Sequence, residues 1–176
     1  LCPTITKFPI SLISGPTNIE KPRGINVINI LTNEEMRKAV LENFDNSDIV
    51  IKSAAVADYK IKEYSNEKIK KSDNDLNLNF IRDNDILKEL GRLKTNQILV
   101  GFAAESSNVV SNAKRKIESK NLDYIIANDI TSADTGFGSD DNKVIIISND
   151  GEEIYLDKMS KVEVSSKIFD TILKKR

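Results

Sequence analysis

Gln97-Ile98-Leu99-Val100-Gly101-Phe102 is apolar from its second residue onward, the pattern of a strand covered on both faces rather than one. On its amino side Ile86, Leu87, Leu90 and Leu93 recur at helical spacing, with Asp83 or Asn84 placed to cap them. On its carboxyl side a helix over about 108–120 precedes a second apolar strand, Tyr124-Ile125-Ile126-Ala127. A strand bracketed by such helices needs crossover connections, and these demand a parallel sheet with helices on both faces.

The pattern continues outward. Upstream, Ile49-Val50-Ile51 leads into Ala54-Ala55-Val56-Ala57-Asp58, read as a buried strand ending in side chains small enough to admit a ligand. Before it, Thr32 and Glu35 make a capping box for a helix carrying Met36, Val40 and Phe44. Two further strands are expected at Ile10–Ser14 and Ile25–Ile30. Tyr59 to Asp75 is charged and aperiodic, which suggests an exposed loop or flap. Downstream, Lys143–Ser148 and Glu153–Leu156 flank the hairpin signal Asn149-Asp150-Gly151. Ser160 and Glu163 then open a helix with Ile168, Phe169, Ile172 and Leu173 on one face. The fold class expected is a Rossmann-like α/β domain, its sheet mostly parallel, with helices on both faces and the C-terminal hairpin as an appendage. Such sheets bind ligands beyond the carboxyl ends of the strands, here Ala54–Asp58, Phe102–Glu105 and Asn128-Asp129.

Composition narrows the chemistry. With 176 residues, one domain is the default. The charge balance of 26 basic and 27 acidic side chains gives no counterion-release drive toward nucleic acid. No apolar run approaches the ~20 residues of a membrane span, and the N-terminus lacks the form of a secretory signal, so a cytoplasmic chain, clipped before its first residue, is expected. The single cysteine, Cys2, cannot form an internal disulfide, and the absence of histidine removes zinc chemistry and Ser-His-Asp or Cys-His catalysis. Lysines, carboxylates, amides and backbone dipoles remain.

Asp58 and Lys68 lie ten positions apart across the flap, and Lys68-Ile69-Lys70-Lys71 is a short basic cluster. A charge run is ordinarily a solvated face; the functional alternative is that Lys68 swings over the strand ends to neutralise an anion while Asp58 binds a sugar or a metal. Lys116 and Lys120, one helical turn apart, could grip one polyphosphate, although lysines on exposed helix faces are ordinary. Helices starting near Asn84 and Asn108 would add amide groups and dipole ends. Tyr64 and Lys68 fit the Tyr-x-x-x-Lys pattern of short-chain dehydrogenases, but in a loop. Gly136-Phe137-Gly138 lacks the dinucleotide fingerprint, no Walker loop is present, and Asp134, Asp140 and Asp141 read as a solvated turn rather than a calcium loop.

Taken in order, Ser14-Gly15-Pro16-Thr17-Asn18, Ala54-Ala55-Val56-Ala57-Asp58-Tyr59, Glu67-Lys68-Ile69-Lys70-Lys71, Val100-Gly101-Phe102-Ala103-Ala104-Glu105, Lys120-Asn121-Leu122-Asp123, Ala127-Asn128-Asp129 and Gly138-Ser139-Asp140-Asp141-Asn142 resemble the phosphopantothenate-cysteine ligase family. That family is the second domain of the bacterial bifunctional coenzyme A biosynthesis protein. The resemblance implies CTP-dependent ligation of 4'-phosphopantothenate to L-cysteine through an acyl-cytidylate, with Mg2+ accompanying the nucleotide. FMN is implied only by fusion to a decarboxylase domain, and a homodimer is implied, with the hairpin as a contact.

Residue by residue, the resemblance implies that the backbone of Ser53 and Ala54 reads the base and that Asp58 binds ribose or a metal-bridged phosphate. Lys68 matches the catalytic flap lysine. Asp83, Asn84, Asp85 and Ile86 match an Asn-Pro-Asp-Ile nucleotide segment but lack its proline, and Phe102, Lys116 and Lys120 match the remaining nucleotide positions. The family's first strand-loop-helix unit, with its asparagine tied to the acyl intermediate, finds no match. Residues 1–176 are therefore expected to form a single nucleotide-binding ligase domain lacking that unit. A truncated binding module is the alternative, followed by an NAD(P)-dependent oxidoreductase built on Tyr64 and Lys68.

Overall fold

The computed structural model describes residues 9–65, 67–70, 75–129 and 141–174. The chain forms two compact units, Leu1–Asp45 with Ala55–Ile86, and Asn46–Ala54 with Leu87–Arg176.

In the first unit β1 (Ser11–Ser14) pairs in parallel with β2 (Asn26–Asn29), Ser11 opposite Asn26 and Ser14 opposite Asn29. Gly24, at φ +79°, turns the chain into β2. The capping box of α1 (Asn33–Phe44) forms as expected: Thr32 Oγ1 accepts from Glu35 N at 3.1 Å, and Glu35 Oε2 accepts from Thr32 N at 3.2 Å. Met36, Ala39 and Phe44 are its buried positions.

The flap expected over Tyr59–Asp75 departs from a plain loop at its start. Tyr59–Ile61 is a strand, β4, paired antiparallel with β5 (Phe80–Arg82). Two backbone bonds extend this ribbon at its ends, Lys62 N to Asn79 O at 2.8 Å and Asp83 N to Asp58 O at 2.9 Å. A three-residue strand whose partner lies some twenty positions on has too little alternation to be seen locally.

The second unit is built on a five-stranded sheet in the order β3-β6-β7-β8-β9, comprising Ile49–Lys52, Ile98–Glu105, Tyr124–Asp129, Asp141–Ser148 and Glu153–Ser160. The α/β class holds, but the sheet is mixed: β3-β6 and β6-β7 are parallel, β7-β8 and β8-β9 antiparallel. The hairpin is accordingly no appendage. Its apolar first strand pairs along β7 from Asn128–Val144 to Tyr124–Ser148 and buries Val144, Ile146 and Ile147. The tip, with Gly151 at φ +92°, lies beside the start of β7, where Asn149 N donates to Asp123 O at 2.9 Å. The buried strand expected to reach Asp58 instead ends at Lys52, and of Ala54–Asp58 only Val56 is half-buried. Alanines offer too little apolar area to hold that stretch in a core.

Alternation assigns the two faces of this sheet. Val100, Ile126, Val144, Ile146 and Leu156 pack with Val164, Ile168 and Ile172 of α4 (Lys161–Lys174). Phe169 and Leu173, expected on that same helix face, remain 43% and 51% exposed. The other face approaches α2 (Ile86–Leu93) and α3 (Val109–Lys120) so closely that a Cβ on Gly101 would stand 2.8 Å from Leu87 Cδ2 and 3.0 Å from Leu122 Cδ1. Between those helices, a Cβ on Gly91 would stand 1.9 Å from Lys120 O.

The turn after α3 is held by polar contacts. Asn121 adopts the left-handed conformation at φ 52° and donates through Nδ2 to Gly91 O at 2.8 Å. Lys94 Nζ reaches both Asp123 oxygens at 2.7 Å, and Asp123 Oδ2 also accepts from Leu99 N at 2.7 Å. Among the described residues, no helix is long and apolar enough to cross a membrane.

Candidate functional site

The candidate residues divide between the two units. Asp58, Lys68 and Asp83–Ile86 lie in the first, whereas Ser53, Ala54, Phe102, Lys116 and Lys120 lie in the second.

In the first unit Asp83 is the centre of a built network. Its Oδ2 accepts from Asn33 Nδ2 at 2.8 Å, while Oδ1 accepts from Asn84 N at 2.9 Å and lies 3.0 Å from Lys60 Nζ. These contacts, the Asn33 hydrogen bond first and Lys60 second, lower its pKa from 3.8 to about 2. Both oxygens are therefore engaged in joining the start of α1, β4 and the approach to α2. Asn84 Nδ2 adds a second tie to α1, reaching Glu34 Oε2 at 3.2 Å. The side chain of Ile86 is buried at 1% exposure, so it serves the core and leaves only its backbone to a ligand. Asp58 and Lys68 are exposed, the former with its carbonyl held by Asp83 N. Tyr64 and Lys68 lie outside any helix, so the one-turn spacing of a Tyr-x-x-x-Lys pair does not form. Lys71, Asp134, Asp140 and Gly136–Gly138 lie outside the described residues, as does Cys2. Along the β4–β5 ribbon runs a hollow of about 510 Å³ lined by Ile61, Tyr64, Leu76 and Leu78, and none of the expected nucleotide residues lines it.

In the second unit Ser53 and Ala54 follow directly on β3 and are exposed. Lys52 Nζ donates to Ala54 O at 2.8 Å, which orients that carbonyl. Phe102 is 39% exposed although Gly101 and Ala103 on either side of it are buried, so β6 offers an aromatic ring to whatever comes against it. Lys116 and Lys120 lie one turn apart on α3 and are half-buried. The Lys116 ammonium is engaged at 2.6 Å by Glu105 Oε1, at the carboxyl end of β6. Glu105 Oε2 in turn accepts from Asn112 Nδ2 at 3.0 Å.

The DNA/pantothenate metabolism flavoprotein C-terminal domain matches this chain over residues 8–175. The chain belongs to that family. Among this domain's relatives, the coenzyme A biosynthesis bifunctional protein CoaBC of Bacillus subtilis is 46% identical over 164 residues, covering 93% of this chain and 40% of the relative. The chain thus spans about two fifths of the curated relatives it matches. The crystal structure of the C-terminal domain of a CoaBC protein superposes with a TM-score of 0.76 at 36% identity, covering 92% of this chain and 71% of that one. A mutant Cab2 solved with phosphopantothenate-cysteine shares the fold at a TM-score of 0.53 and 16% identity, over 76% of this chain and 47% of that one.

The residues that sequence reasoning did not single out are those that hold the candidates: Asn33 and Lys60 around Asp83, and Asn112 beside Lys116, while Glu105 was named only as the end of a strand and of a motif, without its lysine partner. Their partners are 50 and 23 positions away around Asp83, and no local pattern reports such pairings. Glu105 and Lys116 are nearer, 11 apart, but on two different elements.

Proposed function

We propose that this domain is a ligase of coenzyme A biosynthesis that joins 4'-phosphopantothenate to L-cysteine at the expense of CTP, acting in the cytoplasm. Membership of the family shared with CoaBC supports the reaction class, and the observation that carries the nucleotide reading is Phe102. An aromatic ring left 39% exposed between two buried neighbours, on a strand entering the carboxyl edge of the sheet, is a surface on which a base can stack.

A carboxylate is a poor electrophile, so the substrate carboxylate first attacks the α-phosphorus of CTP, forming the acyl-cytidylate as the bond to pyrophosphate breaks. The cysteine amine then attacks the acyl carbon, the amide forms, CMP leaves and the amine loses a proton. Both steps concentrate negative charge and gain from fixed cations and amides. In this reading the Ser53 and Ala54 backbone and Phe102 receive the base, while Lys116 and Lys120 hold phosphates. The family resemblance assigns Asn84, Asp85 and the Ile86 backbone to nucleotide-lining positions, in a segment that Asp83 fixes, and Lys68 to the catalytic lysine, whose charge would neutralise an anionic phosphate.

Among the described residues no three acidic or sulfur side chains cluster into a metal cage. Asp58, whose side chain is exposed, would be the carboxylate available to a magnesium ion brought by the nucleotide, and the ion would offset phosphate charge. A homodimer is part of the proposal, with the hairpin and the β4–β5 ribbon as its candidate contacts. The edge strand β9 carries Glu153, Asp157 and Lys158, charges that discourage pairing, whereas Tyr64, Leu76, Leu78 and Phe80 of the ribbon region are 85%, 64%, 48% and 60% exposed.

Release of pyrophosphate from CTP and phosphopantothenate, measured before cysteine is added, tests the reaction. The intact protein should release it in a single turnover, and Lys68→Ala should keep the fold and lose most of that release. Nucleotide binding with no pyrophosphate would instead identify a binding module.

A further inference from the structure

Lys116 does not face the solvent as an unclaimed cation. Its ammonium is 2.6 Å from Glu105 Oε1, and the two side chains are unequally exposed, 39% for the lysine and 12% for the glutamate. Glu105 is further fixed by Asn112 Nδ2 at 3.0 Å, and Asn112 is itself held through Nδ2 to Ser107 O and through Oδ1 by Arg115, each at 3.0 Å. The carboxylate is thus the immobile member and the lysine, with its flexible stem and more open head, the mobile one. An ammonium so paired offers an anion little net field until it leaves its partner or shares it.

We propose that Glu105 is a positioning residue for the nucleotide reaction: it parks the Lys116 ammonium at the end of β6 and competes with the polyphosphate for it. This rests on the nucleotide reading of Lys116 given above. The carboxylate restrains the affinity for triphosphate and for the pyrophosphate that departs, in proportion to the ligand's charge. On this proposal it acts on the phosphates and not on the base, so an uncharged nucleoside should not sense it.

The experiment compares CTP with cytidine as probes, by calorimetric titration of the intact protein and of two variants. Glu105→Gln keeps the shape and an acceptor for Asn112 while removing the charge. It should tighten CTP about three- to tenfold, the effect of removing one charge near 6 Å in a largely aqueous setting. The gain should shrink as salt is raised, and cytidine binding should stay the same. Lys116→Ala should weaken CTP and leave cytidine unaffected. If Lys116→Ala leaves CTP unchanged, the nucleotide reading of this lysine fails and the inference with it. If Lys116→Ala weakens CTP but Glu105→Gln leaves it unchanged, weakens it, or shifts CTP and cytidine equally, the inference alone is overturned. Thermal unfolding of each variant identifies any loss of fold; for a misfolded Glu105→Gln, Glu105→Asp serves in its place. Its shortened carboxylate should release Lys116 in part and tighten CTP by a smaller factor, and unchanged or weaker CTP binding would count against the inference.

Discussion

Asp83 shows how a carboxylate with the right chemistry for a ligand can be committed to contacts within the fold. Matched to a nucleotide-binding segment by sequence, it has both oxygens occupied by Asn33, Lys60 and the Asn84 amide, which a linear pattern could not reveal. Because its pKa falls from 3.8 to about 2 on folding, the folded state binds the proton less readily. Its contribution to stability is complete above pH 3.8 and is lost as the pH falls toward about 2. Asp83→Asn should therefore be less stable than the parent near neutrality, with the gap closing through that acid window. Urea midpoints measured across the window would show it, and a gap that stays constant with pH would refute the ionic origin. Phe102, by contrast, was singled out through its motif, and the structure adds that its ring is partly exposed on β6.

Among elements, helices were read most faithfully, because their signals are local. The Thr32–Glu35 and Ser160–Glu163 boxes both form, the latter with Glu163 N to Ser160 Oγ at 3.3 Å and Ser160 N to Glu163 Oε2 at 3.0 Å. Strand pairing was less legible: β4 needs a remote partner, and β8 could be seen as half of a hairpin but not as a neighbour of β7. The motif Lys120-Asn121-Leu122-Asp123 gains a structural account, since Asn121 caps α3 and Asp123 receives Lys94 and the Leu99 amide. Glycines separate two kinds of close packing here. Gly91→Ala gains about 1 kcal/mol of helix propensity, but its new carbon would meet the Lys120 carbonyl at 1.9 Å, a backbone atom that cannot swing aside. Overpacking at the upper end of about 1–3 kcal/mol should win. Gly101→Ala meets the tips of Leu87 and Leu122, which can rotate, and should cost less. Chemical denaturation of the two variants tests the order, and an equal or reversed ranking would contradict it.

For the molecule as a whole, the α/β class followed from the strand–helix alternation, while the mixed character of the sheet did not, since antiparallel return strands look the same in sequence wherever they dock. Self-association through the ribbon predicts that Phe80→Lys shifts the sedimenting species from dimer to monomer, whereas Tyr155→Lys on β9 leaves it unchanged. A dimer that withstands the first change, or dissociates with the second, would place the contact elsewhere. The direction of β8 has a practical outcome as well. Because it runs back along β7, the turn at Asn149–Gly151 emerges beside Asp123, at the rim opposite the one that carries Glu105 and Phe102. A fluorophore or affinity tag grafted at Asp150 can therefore follow unfolding or immobilise the protein on a surface while leaving the rim proposed for nucleotide free.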